Sequence, residues 1–284
     1  MTNFGIPRAS ATRLAVLGSP IEHSLSPAIH RAAYTVLGVN WSYAAAEVTA
    51  GDLSRWVNLL DQEWRGLSLT MPLKREILPM LAVRHPLVDV VGAANTVLMT
   101  ANGLAGFNTD VFGIVSALRG GGVTQVGDVH MFGSGATAAS ALVALAQLGA
   151  RKVTVEARTV ANASPLLGLA ESLEIEVVVK PFGNESLVSQ GVDIVVSTMP
   201  GGAVVTPSID QTVRERALLF DVVYSPWPSP MAREWLDVGG RVVSGLEMLL
   251  LQAVGQVSGF LAGAPDRPLL NESAVLGAMR AAVN

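Results

Sequence analysis

The sequence predicts an α/β protein of two domains, one of them built on a doubly wound parallel sheet. Three observations carry this. Short apolar runs alternate along the chain with segments whose apolar residues recur at helical spacing. A glycine turn, Gly133-Ser134-Gly135-Ala136-Thr137-Ala138, lies between an apolar run at 129–132 and an Ala/Leu-rich segment that reaches Leu148. A length of 284 residues is long for one compact domain and comfortable for two.

The turn is the most informative stretch. Gly149 stops the Ala/Leu-rich segment and a second apolar run follows at 153–155, so the order is strand, turn, helix, strand. The spacing is G-x-G-x-x-A, one form of the dinucleotide-binding fingerprint. Gly133 permits the tight turn, Gly135 lets backbone N–H groups approach a pyrophosphate, and Ala138 lets the helix pack closely on the strand. The helix N-terminus then offers free N–H groups and a partial positive charge to the phosphates.

From the N-terminus, residues 14–17 form an apolar strand ending at Gly18. Ser26 is placed as a helix N-cap with Pro27 behind it. Ile29, Ala32, Ala33, Val36 and Leu37 form the apolar stripe of that helix, and Gly38 caps it. Strands are expected at 41–48 and 66–70, with a helix at 52–60 between them. Met71-Pro72-Leu73-Lys74 breaks the second of these strands and starts a helix through Met80. Thr70 and Lys74 would then sit at the strand's C-terminal end, where open α/β sheets bind ligands. A strand at 97–100, an Asn102-Gly103 hairpin turn and a return strand lead to Gly106-Phe107-Asn108-Thr109-Asp110. Asp110 is placed to cap a helix at 111–118, and Gly120-Gly121-Gly122 is a loop.

Beyond the glycine turn the alternation continues. A helix opens at Ser164-Pro165 and runs through Leu173, followed by strands at 175–179, 193–197 and 218–223. A helix at 231–238 precedes a strand at 241–243. With the two strands flanking the turn, this makes about six in a parallel sheet. Gly245 begins a long apolar helix at 246–261 that carries Gln252, and Asn271 caps a last helix to Val283.

Composition excludes several classes. Half of the residues are hydrophobic and 15% are charged, so a sizeable core can form. The net charge of -4 leaves no footprint for nucleic acid. No uninterrupted apolar run has the length of a membrane span, and the first ten residues lack the pattern of a signal peptide. With no cysteine there is no disulfide, thiol nucleophile or cysteine-held metal, which fits a cytoplasmic protein. The histidines at 23, 30, 85 and 130 show no metal-ligand spacing, so no metal is expected.

Several motifs in order resemble one family. They are GSPIEHSLSP at 18–27, SLTMPLK at 68–74, Ala94-Asn95-Thr96, GFNTD at 106–110, the glycine turn, DVVYSP at 221–226, and GLEML at 245–249 followed by Gln252. Together they are similar to the shikimate dehydrogenases over nearly the whole chain. The resemblance implies two α/β domains with a cleft between them. The substrate-binding domain would comprise 1–109 and 246–284, the C-terminal helices returning to it. Residues 110–245 would form a Rossmann-type NADP-binding domain.

The resemblance further implies reversible, NADPH-dependent reduction of 3-dehydroshikimate to shikimate, a step of chorismate biosynthesis, by a monomer or homodimer. Lys74 would pass a proton to the reacting oxygen, with Asp110 beside it. Ser24, Ser26 and Tyr224 would hold the substrate carboxylate, and Thr70, Asn95 and Gln252 would read the ring hydroxyls. Gly133, Ser134, Gly135, Ala136, Arg158, Thr159, Thr198 and Gly245 would hold the cofactor. The family usually has Asn where Ser68 stands, which would loosen the pocket's support. The cofactor-selecting Asn-Arg-Thr turn is here Ala157-Arg158-Thr159. Arg158 suits a 2′-phosphate. Glu156 falls one position early for reading an unphosphorylated ribose, so NADP is expected. An NAD-dependent quinate/shikimate dehydrogenase would tend to carry Thr at Ser26 and an acid at Ala157. A non-catalytic NADP-sensing protein would lack the pairing of Lys74 with Asp110.

Overall fold

A computed structural model describes residues 10–183, 188–202 and 207–283. Residues 1–9, most of the stretch read for a signal peptide, lie outside the described residues. The described chain divides into two units, one of residues up to Gly113 with those from Leu249, the other Ile114–Met248. These boundaries fall a few residues inside the helices expected after Asp110 and Gly245.

In the first unit, consecutive apolar residues form β1 (Arg13–Gly18), covered on both faces as a central parallel strand must be. It is followed by α1 (Ser26–Leu37), β2 (Ser42–Glu47), α2 (Leu53–Val57) and β3 (Trp64–Leu69). Then come β4 (Leu81–Arg84), α3 (Pro86–Val91), β5 (Thr96–Thr100) and β6 (Gly103–Phe107). The sheet order is β2-β1-β3-β5-β6-β4. β1 is parallel to β3, whereas β5 is antiparallel to both β3 and β6. The C-terminal ends of β1, β3 and β6 therefore share one sheet edge with the N-terminal end of β5. Leu17, Leu67, Leu69, Leu73, Ile77 and Val97 fill the core beneath that edge.

α4 (Asp110–Gly120) leads to the second unit, whose elements are β7 (Asp128–Phe132), α5 (Ala136–Gln147), β8 (Lys152–Ala157), α6 (Ser164–Ser172) and β9 (Glu176–Pro181). β10 (Ile194–Ser197), α7 (Gln211–Arg216), β11 (Leu218–Asp221), α8 (Pro230–Asp237) and β12 (Val242–Ser244) complete it. The strands lie in the order β12-β11-β10-β7-β8-β9, every neighbouring pair parallel. The order reverses at β7, so the glycine turn that follows β7 stands at the topological switch point. α9 (Gly245–Ala262) and α10 (Glu272–Ala281) return the chain to the first unit, where α10 packs on α1. α9 has the length and mean hydropathy, 1.3, of a membrane span, but 67% of it is buried in the protein, as in a core helix.

Several local expectations are corrected. Ser26 is the first residue of α1, not its cap; Leu25 occupies the cap, and the Ser24 hydroxyl accepts the Ser26 N–H at 3.4 Å. Residues 71–77 wind as successive turns and end in a 3-10 segment at Leu78–Met80, not an α-helix. Pro79 has no N–H to give the Arg75 carbonyl, so Leu78 N takes it at 3.2 Å and the chain tightens. The helix expected to Leu60 stops at Val57. β4, α3 and α7 are short and were not foreseen. Asn271 precedes α10 in a left-handed conformation without a side-chain cap bond; Glu272 instead reaches back to Leu269 N at 3.1 Å. Asp110 does not cap α4. Asn108 does, accepting Asp110 N at 3.0 Å and Val111 N at 3.4 Å.

Candidate active site

The shared edge of the first sheet gathers polar side chains. β3 ends at Leu69, and Leu73 N donates to Thr70 O at 2.8 Å, turning the chain so that Lys74 follows directly. Ala94 N donates to Lys74 O at 2.8 Å and ties that turn to the approach of β5. Beyond β6, the Asn108 cap leaves the Asp110 carboxylate available to a partner from another element. Lys74 Nζ lies 2.6 Å from Asp110 Oδ2, with the two side chains 12% and 4% exposed. A charge so buried persists only when paired and hydrogen-bonded. Asn95 supplies the remaining bond, donating from Nδ2 to Asp110 Oδ1 at 2.8 Å. An ammonium group carries three donors. One is spent on Asp110, so Lys74 can offer a proton to an oxygen placed beside it.

Asn95 and Gln252 join this group. Asn95 Nδ2 lies 2.8 Å from Thr109 Oγ1 and 3.2 Å from Gln252 Oε1, and Gln252 Nε2 donates to Leu249 O at 2.9 Å. The structure thus brings together Lys74, Asp110, Asn95 and Gln252. Thr70 is half-buried at the end of β3, and its methyl abuts Gly18, where an added Cβ would lie 2.2 Å away. Ser24 is half-buried and Ser26 buried at the start of α1. Among the described residues, no side-chain hydrogen bond joins Ser24, Ser26 or Thr70 to the Lys74–Asp110 pair. Asn108 and Thr109 went unforeseen as contributors. The signal for Asn108 was its position before Thr109-Asp110 at a helix start, where Asn is a good cap. Ser68 is not loose, as its shorter side chain led one to expect. It is 3% exposed, accepts from Tyr43 Oη at 2.6 Å and donates to Gln256 Oε1 at 2.9 Å.

In the second unit, Gly133 has φ +108° and its N–H donates to Glu156 O at 2.8 Å. Thr198 secures the turn from β10, donating N and Oγ1 to Phe132 O at 2.8 and 2.9 Å. Gly135 is the N-cap of α5 with no side-chain cap bond, and among the described residues no side chain bonds the first-turn N–H groups from Ala136 onward. An added Cβ at Gly135 would meet nothing within 4 Å. Ser134 is half-buried beside it. Arg158 and Thr159 are exposed after β8, and among the described residues no carboxylate pairs with Arg158. These residues fit a phosphorylated dinucleotide: an uncapped helix end, an open glycine and a free guanidinium.

Glu156 points elsewhere. It is 3% exposed, and its Oε1 lies 3.0 Å from His130 Nε2. Burial lowers the His130 pKa against the raising effect of Glu156. Gly245 is buried, and an added Cβ there would lie 1.9 Å from Val222 O, so chain packing alone demands glycine. Asp221 is buried, with its pKa raised by burial, and accepts the Ser229 hydroxyl and, at 3.2 Å, Val223 N. That turn sets Tyr224, half-buried, with its own pKa raised by burial. A cleft at the C-terminal ends of β10 and β11 is lined by Ser197, Met199, Gly201, Asp221 and Val223.

The family model described as the shikimate dehydrogenase substrate binding domain matches residues 16–97. The NADP(+) shikimate dehydrogenase of Ignicoccus hospitalis is 32% identical, the match covering 88% of this chain and 94% of that protein. The crystal structure of Mycobacterium tuberculosis shikimate dehydrogenase, 36% identical, gives a TM-score of 0.81 and covers 95% of this chain and 99% of its own. A Thermus thermophilus shikimate 5-dehydrogenase, solved in complex with NADP(H) and shikimate, is 32% identical with a TM-score of 0.79, covering 96% of this chain and 100% of its own. Identity above 30% over most of both chains is more than a common fold requires, and the chain belongs to the shikimate dehydrogenase family.

Proposed function

We propose that this protein catalyses the reversible NADPH-dependent reduction of 3-dehydroshikimate to shikimate in chorismate biosynthesis. The observation that carries the mechanism is the buried Lys74–Asp110 pair, whose carboxylate is held on its other oxygen by Asn95. NADPH supplies the hydride. Lys74 donates a proton from Nζ to the ring oxygen as negative charge develops there, and takes it back in the reverse direction. Asp110 holds the ammonium group in place and accepts a hydrogen bond from the reacting hydroxyl. Thr70, Asn95 and Gln252 read the ring hydroxyls. For Asn95 and Gln252 this means exchanging bonds they now make with each other and with Thr109. Ser24 and Ser26, with Tyr224, hold the substrate carboxylate. Residues up to 109 and from 246 form the substrate domain, and 110–245 the cofactor domain. The lack of cysteine supports a cytoplasmic place of action, with the chain a monomer or homodimer.

The test is a spectrophotometric assay of purified protein following reduced nicotinamide, with shikimate and quinate each offered NADP and NAD. Turnover of shikimate with NADP well above the other three combinations is expected. Turnover with quinate and NAD at least as fast would replace the reading by a quinate/shikimate dehydrogenase.

Cofactor choice rests on Arg158, because Glu156 is turned into the sheet against His130. Arg158→Ala should raise the NADP Michaelis constant by about 10- to 100-fold, the worth of a lost charge-assisted bond to phosphate. The NAD constant should hardly move. Equal effects on the two cofactors would remove Arg158 from this role.

A further inference from the structure

We infer that Tyr43, Ser68 and Gln256 are positioning residues that orient Asn95, and through it the Lys74–Asp110 pair, by a buried hydrogen-bond chain of a single polarity. The inference rests on the proposed role of that pair as the acid–base machinery.

The polarity follows from backbone groups that can act in only one sense. Thr109 N can only donate, and it meets an Asn95 side-chain atom at 2.9 Å, so that atom is Oδ1. The other end of the Asn95 amide is therefore Nδ2, which faces Asp110 Oδ1 at 2.8 Å. The Asn95 backbone carbonyl can only accept, and it meets the Gln256 side chain at 3.1 Å, so that atom is Nε2. Gln256 Oε1 is then left to accept, and Ser68 Oγ must donate to it at 2.9 Å. Having given its one proton, Ser68 must accept from Tyr43 Oη at 2.6 Å. Between Gln256 and Asn95 stands Thr96, which accepts from Gln256 Nε2 at 3.2 Å and donates to Asn95 Oδ1 at 2.8 Å. Along the path Tyr43–Ser68–Gln256–Thr96–Asn95 each donor thus points toward the Asp110 carboxylate, and each bond polarises the next in a medium that excludes water.

The chain's far end is firmly built. Tyr43 is 3% exposed, and burial raises its pKa, keeping the hydroxyl proton it donates. The His30 ring stacks on it with centroids 4.0 Å apart and 15° between planes. Burial lowers the His30 pKa to about 4, with the Ser26 carbonyl and the Gln256 side chain opposing, so the stacked ring is neutral. Gln256 lies one turn along α9 from Gln252, which places both on the face that meets Asn95. Were the Asn95 amide to turn over, its oxygen would face Asp110 and its nitrogen Thr109 N, replacing attraction with repulsion at both ends. Thr96 opposes that turnover by donating to Asn95 Oδ1, Gln256 acts on it only by holding Thr96 and the Asn95 backbone carbonyl, and a serine at position 68 is short enough to take the Tyr43 hydroxyl within reach.

The experiment measures turnover per folded molecule, using NADP-binding sites to count active protein, in Gln256→Met, Tyr43→Phe, Lys74→Met and the Gln256→Met/Lys74→Met double variant. Gln256→Met keeps bulk and removes the bonds to Ser68, the Asn95 carbonyl and Thr96. It should lower kcat by about tenfold with the NADP Michaelis constant unchanged, and Tyr43→Phe by about threefold. In the Lys74→Met background, Gln256→Met should cost less than about twofold, because a residue acting through a pair has nothing to act on once the pair is gone. A purely structural role would instead lower the melting temperature and leave kcat per folded molecule alone, or give equal losses in both backgrounds; either outcome overturns the inference. Slow turnover in Lys74→Met with normal turnover in Gln256→Met removes only the positioning chain, whereas normal turnover in Lys74→Met removes the acid–base reading beneath it. Should Gln256→Met fail to fold, Tyr43→Phe decides, and unchanged kcat there overturns the inference.

Discussion

Lys74→Met should lower kcat by about 10²–10⁴-fold, the usual worth of general acid–base assistance. The proton matters chiefly in the transition state, when the carbonyl oxygen is gaining charge. The loss should therefore appear in turnover more than in the shikimate Michaelis constant. NADP affinity should be nearly untouched, since Lys74 belongs to the unit without the glycine turn. Methionine keeps the stem's bulk where the side chain is only 12% exposed, so lost charge is separated from lost packing. One structural consequence has to be controlled. The substitution leaves Asp110 Oδ2 without the ammonium group at 2.6 Å, and an unpaired buried carboxylate costs stability. Melting temperature must therefore be read beside kcat. Asp110→Asn should be slow for the complementary reason, and the double variant less than additive, because the two groups act as one unit. Near-normal turnover in Lys74→Met would end the assignment, and fully additive losses would show the residues acting independently.

What the sequence made legible follows from how local each cause is. The parallel sheet of the second unit was readable because each strand is a short apolar run bounded by turn residues, and every connection but that from β9 to β10 carries a helix among the described residues. The glycine turn was readable because its requirement is local: a left-handed φ at Gly133 and open space at Gly135. The edge strand β4 and the short helices α3 and α7 carry too few residues for a period to declare itself. The turns at 71–77 were mistaken for a helix because the apolar spacing of Leu73, Ile77 and Met80 suits either winding.

The site divided along the same line. Lys74, Asp110, Asn95 and Gln252 came from the resemblance, and their mutual contacts confirm only that the chain gathers them. Nothing in sequence spacing joins Tyr43, Ser68 and Gln256, which come from β2, β3 and α9 and meet only through the packing of that helix on the sheet. Glu156 complicates the sequence reading because an acid near this end of the strand can read an unphosphorylated ribose. β8 ends at Ala157, so Glu156 stays within the sheet, buried against His130, while Arg158 lies beyond the strand's end and is exposed.

Gly135→Val should abolish NADP binding while leaving the protein folded. The two glycines of the turn differ in a way that makes this a clean test. Gly133 has φ +108°, and an added Cβ would lie 2.3 Å from Thr198 Oγ1, so substitution there strains the turn itself. Gly135 has φ -80° and ψ -169°, ordinary extended backbone that valine adopts readily. Its missing Cβ faces nothing within 4 Å. Among the described residues nothing packed at 135 requires glycine, so a loss of NADP binding in Gly135→Val reports on what approaches the α5 N-terminus. A valine there would stand over the free N–H groups at the start of α5 and keep a pyrophosphate from reaching them. Without cofactor, Gly135→Val should melt near the unsubstituted protein, while Gly133→Val should melt lower. With NADP at about a hundred times its dissociation constant, the unsubstituted protein gains about 2.7 kcal/mol of stability, and Gly135→Val should gain none. Titration should give the same answer directly. NADP affinity unchanged in Gly135→Val would place the pyrophosphate away from this turn.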